Sequence, residues 1–257
     1  MFRNFFHALA FLSILPLNPK GVLEPAEMGR FPAYYPLAGL VLGLFSVLFA
    51  LIFNHLFPAI IMAVLLTTLQ IVLTRGFHLD ALADTADAVL SHKSVEKKLE
   101  ILKDCHMGTF GVAAIVLSVI LKIALIASLA FSVSQDNALL VGVIPFSPLL
   151  LYPIWGRLTA SVVATQSYCA REGDGLGYNM IFYSGQKEFY AALFVSLIIS
   201  LFFGLVAFLC AIFAALLGLI LCFVWRKALG GATGDILGAS LEIGEMTTLL
   251  FFALFAF

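Results

Sequence analysis

The sequence predicts an all-α protein, a polytopic integral membrane helical bundle of about seven spans, one of them broken by prolines. Three observations carry that prediction. Of 257 residues, 62% are hydrophobic and only 11% are charged, where a soluble domain carries roughly 25% charged residues. The charges leave gaps long enough for membrane-crossing helices, which need about 20 largely apolar residues. The basic residues outside those gaps fall on one side of the implied topology. A formal charge of −1 argues against nucleic acid and against a polybasic lipid anchor. Cys105, Cys169, Cys210 and Cys222 share no close metal-ligand spacing, so neither a disulfide nor a zinc framework is implied.

Residues 2–17 are apolar but short and read as an interfacial or re-entrant helix. A cleaved signal peptide is the alternative, and no small-residue cleavage site precedes Pro16. Residues 31–74 hold no Asp, Glu, Lys or Arg in 44 positions, and Asn54, His55 and Pro58 break the run into spans at about 37–56 and 59–75. A third span, about 110–133, is interrupted only by Lys122 and ends in the turn-forming residues 132–137. The fourth, about 138–168, carries Pro145, Pro148 and Pro153 and is expected to be a broken helix. Residues 189–225 are uncharged for 37 positions, too long for one span; Gly204 marks a hairpin between spans at 189–204 and 205–225. A last span covers about 236–257, of which the final 12 residues are free of charge. With no internal repeat, residues 1–257 read as a single membrane-embedded catalytic domain.

Segments 1–36, 75–108, 169–188 and 226–235 hold twelve of the fourteen Lys and Arg, while the connections near 54–58, 134–137 and 204 hold none. Cytoplasmic segments are enriched in basic residues. The amino terminus and the polar segments are therefore expected on the cytoplasmic side of the membrane.

The chemistry is concentrated in two segments. Asp80, Asp84 and Asp87 are spaced i, i+4, i+7 among Ala and Leu, which favour helix; at about 100° per residue all three share one stripe. Three like charges on adjacent turns repel one another. A hard divalent cation such as Mg²⁺, held by one or two carboxylates with substrate phosphates and water, relieves that repulsion. His78 is a candidate phosphate contact or acid–base group; a solvated acidic face and a merely hydrogen-bonded histidine are the bland alternatives. In the second segment, Gly230 to Glu245, a helix would put Asp235, Gly238 and Glu242 on one face, beside Gly230, Gly231 and Gly234, which permit close backbone approach to a phosphate. Ser94 begins an amphipathic connecting helix over 95–105, and Arg171 opens a glycine-rich stretch, 171–177, suited to an anion.

Three segments together resemble the cobalamin synthases, the adenosylcobinamide-GDP ribazoletransferase or cobalamin 5′-phosphate synthase family. They are 77–87 with its continuation 99–111, 170–177, and 230–245. The family usually has glycine where this chain has Ala81 and Ala88, and often an arginine near Cys105-His106. The resemblance implies attack by a ribose hydroxyl of α-ribazole, or of its 5′-phosphate, on the cobinamide-linked phosphate of adenosylcobinamide-GDP, with release of GMP and a requirement for Mg²⁺. On that reading Asp80, Asp84 and Asp87 hold the metal, Asp235 and Glu242 complete the site or take the proton, and Asp84, His78 and Asp235 are the catalytic set. Arg75, Arg171, Gly231 and Gly234 bind substrate. The lipid bilayer is the surrounding partner, and a homo-oligomer or an association with other corrinoid-assembly enzymes is compatible with it. A cation-coupled transporter using intramembrane carboxylates and a lipid-type CDP-alcohol phosphotransferase are the competing classes; the chain lacks the Ala-Arg pair of the latter's motif. A non-enzymatic scaffold would leave the carboxylate stripe unexplained.

Overall fold

A computed structural model describes residues 2–17, 23–131, 146–173 and 175–256. The turn expected at 132–137, the first part of the fourth span with Pro145, and Asp174 lie outside the described residues. The chain folds as helices α1 (Phe2–Leu12), α2 (Pro25–Met28), a 3-10 turn (Phe31–Tyr34), α3 (Tyr35–Phe53), α4 (Ala59–Leu73), α5 (Phe77–Leu90) and α6 (Val95–Ile101). They are followed by α7 (Thr109–Phe131), α8 (Ser147–Gln166), α9 (Leu176–Phe182), α10 (Gln186–Phe202), α11 (Leu205–Leu229) and α12 (Gly234–Ala256).

Helix α8 is the hub. Residues 147–165 are all buried, enclosed by α3, α10, α11 and α12. Small residues let the backbones close in, as in many membrane bundles: a Cβ at Gly39 would stand 2.4 Å from the Pro153 carbonyl oxygen, and one at Gly43 2.4 Å from that of Leu150. Pro148 sits in the first turn of α8, where its missing N–H costs nothing. Helix α8 continues through Pro153. Interhelical hydrogen bonds tie the packing: Gln70 donates to the Leu42 carbonyl at 2.9 Å, Trp155 to Ser200 at 3.0 Å and Trp225 to Ser240 at 2.9 Å. Leu117, Phe194, Phe202 and Phe223 remain exposed, forming an outer surface suited to lipid.

By length and composition, four helices can cross a membrane: the unit ending in α3 (Pro25–Phe53), α7 over Thr109–Leu129, α11, and α12 over Gly234–Phe255. Counting the bent pairs α4–α5 and α9–α10 as one span each raises the number to six, against the seven expected. The difference is α8. It is long enough, about 30 Å at 1.5 Å per residue, but Arg157 and its Ser and Thr residues make it polar, and protein rather than lipid surrounds it. The hairpin at Gly204 forms as expected, with φ +100 between α10 and α11.

Helix α1 has 11 residues, too few to span, and packs on the 3-10 turn and α3. Helix α5 leaves α4 at 88°. Two left-handed residues make that bend, Arg75 at φ 57 and Gly76 at φ 66. Glycine takes this conformation freely. Arg75 is held in it while its guanidinium donates to the carbonyls of Ser13 at 3.0 Å and Ala10 at 3.4 Å, at the end of α1.

Candidate active site

The site is assembled around α5. Its inner face, His78, Ala81, Leu82, Thr85 and Ala88, is buried, and α12 packs against it. The crossing is close: a Cβ on Gly238 would lie 2.6 Å from Cβ of Ala81. The opposite face therefore turns outward, with Asp80 exposed and Asp84 and Asp87 half-buried. An exposed carboxylate is expensive in hydrocarbon, so α5 lies at the polar end of the bundle, outside the spans.

Burial and the neighbouring carboxylates of Asp80, Asp235 and Asp87 push Asp84 up to about 6. Burial makes the larger part of that shift, and the neighbouring negative charge adds to it. Asp235 belongs to the same group, in the first turn of α12. Asp87 differs: its two oxygens accept the N–H groups of Gly108 at 2.7 Å and Gly111 at 2.9 Å, satisfying donors at the start of α7. Both glycines are required for that approach, since a Cβ on either would stand 2.4 Å from an Asp87 oxygen.

Beside Asp235 opens a polar pocket of about 500 Å³ lined by Arg171, Lys103, Glu172, Gly175 and Thr233. Two loops are stitched together to form it. Cys169 and Ala232 make the only β-bridge among the described residues, with Ala170 N–H donating to Ala232 O at 2.9 Å and Ala232 N–H to Tyr168 O at 2.8 Å. Gly231 serves this junction: a Cβ there would meet the Tyr168 carbonyl at 2.4 Å, so the side expected to face a phosphate faces protein backbone. Gly234 does line the pocket, and Gly173 and Gly175 have open space where a Cβ would stand. Arg171 is steadied by a bond to the Leu99 carbonyl at 3.2 Å. A helix N-terminus, two cations and bare glycine backbone make an anion-binding arrangement.

Arg75 stands apart from that pocket, sharing with Asp80 a second cavity of about 580 Å³. His78 is buried, with its Nε2 unpartnered. Burial, reinforced by the charges of Arg157 and Lys122, pushes its pKa well below the usual histidine value. The imidazole is thus neutral, a hydrogen-bonding group rather than a phosphate-binding cation.

Glu242 is not with the aspartates. Seven residues beyond Asp235, about 10 Å along the helix, it accepts from Lys122 Nζ at 2.6 Å; Glu245 accepts from Lys122 at 2.6 Å and from Arg157 at 2.8 Å. Two cations and two anions close this buried network, so it does not offer the unpaired intramembrane acids of an ion path.

Mg²⁺ favours an all-oxygen, carboxylate-containing donor set, and Asp80, Asp84, Asp87 and Asp235 are side chains of that chemistry. Among the described residues, Asp104, Cys105 and His106 are the only three His, Cys, Asp or Glu side chains whose ligand atoms all lie within 4.8 Å of one another. No three of the aspartates have ligand atoms within that distance of one another.

Residues 4–253 match the profile of the cobalamin-5-phosphate synthase family. The chain belongs to that family. Among its relatives, the adenosylcobinamide-GDP ribazoletransferase of Syntrophobacter fumaroxidans is 36% identical over 97% of this chain and 97% of its own length. Those of Clostridium acetobutylicum (34%, covering 97% and 95%) and Acetivibrio thermocellus (35%, covering 96% of both) are similar. No solved structure matches. This cobalamin synthase family member is thus an integral membrane transferase of cobalamin biosynthesis.

Sequence reasoning missed Lys103, which it placed on a solvated helix face over 95–105. Helix α6 stops at Ile101, because Asp104 accepts from the His106 N–H at 3.1 Å and turns the chain toward Gly108.

Proposed function

We propose that the chain transfers the cobinamide phosphate of adenosylcobinamide-GDP to α-ribazole or α-ribazole 5′-phosphate, releasing GMP and forming adenosylcobalamin or its 5′-phosphate. The observation that carries this reading is the juxtaposition of uncompensated aspartates on α5 with the cationic, glycine-lined pocket at the start of α12. Arg171 and Lys103 bind the diphosphate. Asp235, on the rim, takes the proton of the attacking hydroxyl as its oxygen bonds to phosphorus and the diphosphate P–O bond breaks toward GMP. Asp80, Asp84 and Asp87 would hold Mg²⁺, with one Asp87 lone pair on each oxygen already engaged by α7; Glu242 acts through the packing of α12. Bound there, Mg²⁺ would supply charge neutralisation of the diphosphate. His78 and Arg75 position substrate from opposite sides of α5. The concentration of Lys and Arg at the polar end supports a site facing the cytoplasm.

The test is GMP release from adenosylcobinamide-GDP by purified protein in lipid, on adding α-ribazole 5′-phosphate. Release should require Mg²⁺ and fall to near background in Asp84→Asn. Wild-type turnover without a divalent cation, or in that variant, overturns the metal assignment.

A further inference from the structure

The turn that follows α6 brings three kinds of metal ligand to one point. Asp104, Cys105 and His106 are consecutive, and a carboxylate oxygen, the thiol sulfur and an imidazole nitrogen all lie within 4.8 Å of one another. No two cysteines of this chain are spaced as metal ligands, but Cys105 stands between an acid and a histidine, and it alone of the four is exposed.

The three converge on Nδ1 of His106. It stands 2.6 Å from Asp104 Oδ1 and 3.8 Å from Cys105 Sγ. A hydrogen on Nδ1 explains the first contact and leaves the second without a reason. A nucleophile–base–carboxylate relay does not explain it either, because thiol and carboxylate would then meet opposite ring nitrogens. A tetrahedral ion explains both contacts. With bonds of about 2.3 Å to sulfur and about 2.0–2.1 Å to nitrogen and oxygen, neighbouring ligand atoms stand about 3.6 Å apart for S and N and about 3.4 Å for N and O. The sulfur is already near that separation, and the carboxylate oxygen has to withdraw by about 0.8 Å. The His106 N–H donates to Asp104 Oδ1 at 3.1 Å, which holds the carboxylate beside the ring. With the His106 side chain 86% exposed and that of Asp104 54% exposed, the approach is open and a fourth coordination position faces water.

We propose that Asp104, Cys105 and His106 bind a thiophilic divalent cation of the Zn²⁺ class. Thiolate and imidazole with one carboxylate select such an ion over Mg²⁺, which takes oxygen ligands. This cation and a Mg²⁺ on the α5 aspartates therefore use different ligands. Binding takes the proton of the Cys105 thiol, which passes to water, and leaves the imidazole protonated on Nε2. Lys103 of the anion pocket precedes the turn, and Gly108, which donates to Asp87, follows it. An ion held here fixes the loop between them. The site stands whether or not the chain catalyses the transfer proposed above.

Co²⁺ is the probe, because the filled d shell of Zn²⁺ gives no visible spectrum. The full-length protein in detergent, stripped of metal and kept reduced, is titrated with Co²⁺. Stoichiometric Co²⁺ should bring thiolate-to-cobalt charge transfer in the near ultraviolet together with the visible bands of tetrahedral cobalt. Zn²⁺ should bleach both, and a large excess of Mg²⁺ should bleach neither. Cys105→Ser should abolish the charge transfer. His106→Ala and Asp104→Asn should each weaken Co²⁺ binding by about tenfold or more, the least that losing even an outer-shell partner of a metal site costs. All three residues are exposed, so the metal-free variants should keep the thermal midpoint of wild type. Charge transfer that survives Cys105→Ser puts the ion on another thiol, and affinity unchanged in both His106→Ala and Asp104→Asn means that it sits on the thiol alone. Either result overturns the proposal, as does the absence of any band with wild type in excess Co²⁺, which would leave the turn a hydrogen-bonded loop.

Discussion

Removing Lys122 is the sharpest test of the interior. Its Nζ lies 2.6 Å from both Glu242 and Glu245, and Glu245 also holds Arg157 at 2.8 Å. All four side chains are nearly sealed from solvent, the two carboxylates 7% and 5% exposed. Lys122→Met keeps the stem and its packing and deletes the charge. Glu245 then retains Arg157, whereas Glu242 is stranded. Leaving one member of a buried pair uncompensated costs about 3–5 kcal/mol, well above the roughly 0.6–2 kcal/mol of an ordinary interhelical hydrogen bond in a membrane. For a chain of this size about 1 kcal/mol moves the thermal midpoint by roughly 2–4 °C, so a loss of roughly 10 °C is expected in detergent. Adding Glu242→Gln removes the stranded charge, and the double variant should recover more than half of the loss, a coupling readable as a double-mutant cycle. A single variant within about 2 °C of wild type would refute the network's role, as would a double variant less stable than Lys122→Met.

At the aspartate cluster the sign reverses. Because Asp84 is raised from 3.8 to about 6 in the folded protein, the native state holds the proton more tightly, and its ionisation removes stability as pH rises from the ordinary aspartate value through about 6. In chelator, Asp84→Asn should therefore match wild type in acid and become the more stable protein across that window, a gap that Mg²⁺ closes; thermal midpoints against pH measure it, and a less stable variant at neutral pH refutes the charge crowding. Gly238→Ala should cost about 1–3 kcal/mol by overpacking, because the new methyl would stand 2.6 Å from Ala81. Ala81→Gly in the same chain should restore the midpoint, and an unharmed single variant would show that α5 and α12 do not meet as described.

What was legible in the sequence was local. The stripe of Asp80, Asp84 and Asp87 follows from helical period alone, and the turn at Gly204 from an apolar run too long for one span. Asp235 was found because an acid beside clustered glycines is hard to explain as packing. Long-range pairing was not legible. Lys122 and Glu242 are 120 residues apart, and nothing local says that they neutralise each other, so Glu242 read as a further metal ligand. Gly231 read as a phosphate contact for a similar reason: a missing Cβ signals close approach without saying to what, and here the neighbour is Tyr168. Counting charge gaps also made 138–168 one of about seven spans, a count that says nothing of what surrounds a helix; protein encloses residues 147–165.

The placement of charge separates the parts of this molecule that hold it together from those that act. Inside the bundle, each carboxylate of α12 beyond Gly238 meets a cation. At the polar end, four aspartates crowd together while Arg171 and Lys103 sit across a pocket rather than in salt bridges to them. A fold selected only for stability would pair or disperse those charges, since burial and, with it, their mutual repulsion raise Asp84 and weaken the native state. The glycines argue in the same direction: Gly108 and Gly111 fix Asp87, and Gly238 brings α5 against α12 so that Asp84 and Asp235 share one field. Close backbone packing is being used to hold like charges together. A cation and a polyanion arriving together, as the proposed transfer requires, would give such an arrangement its physical rationale.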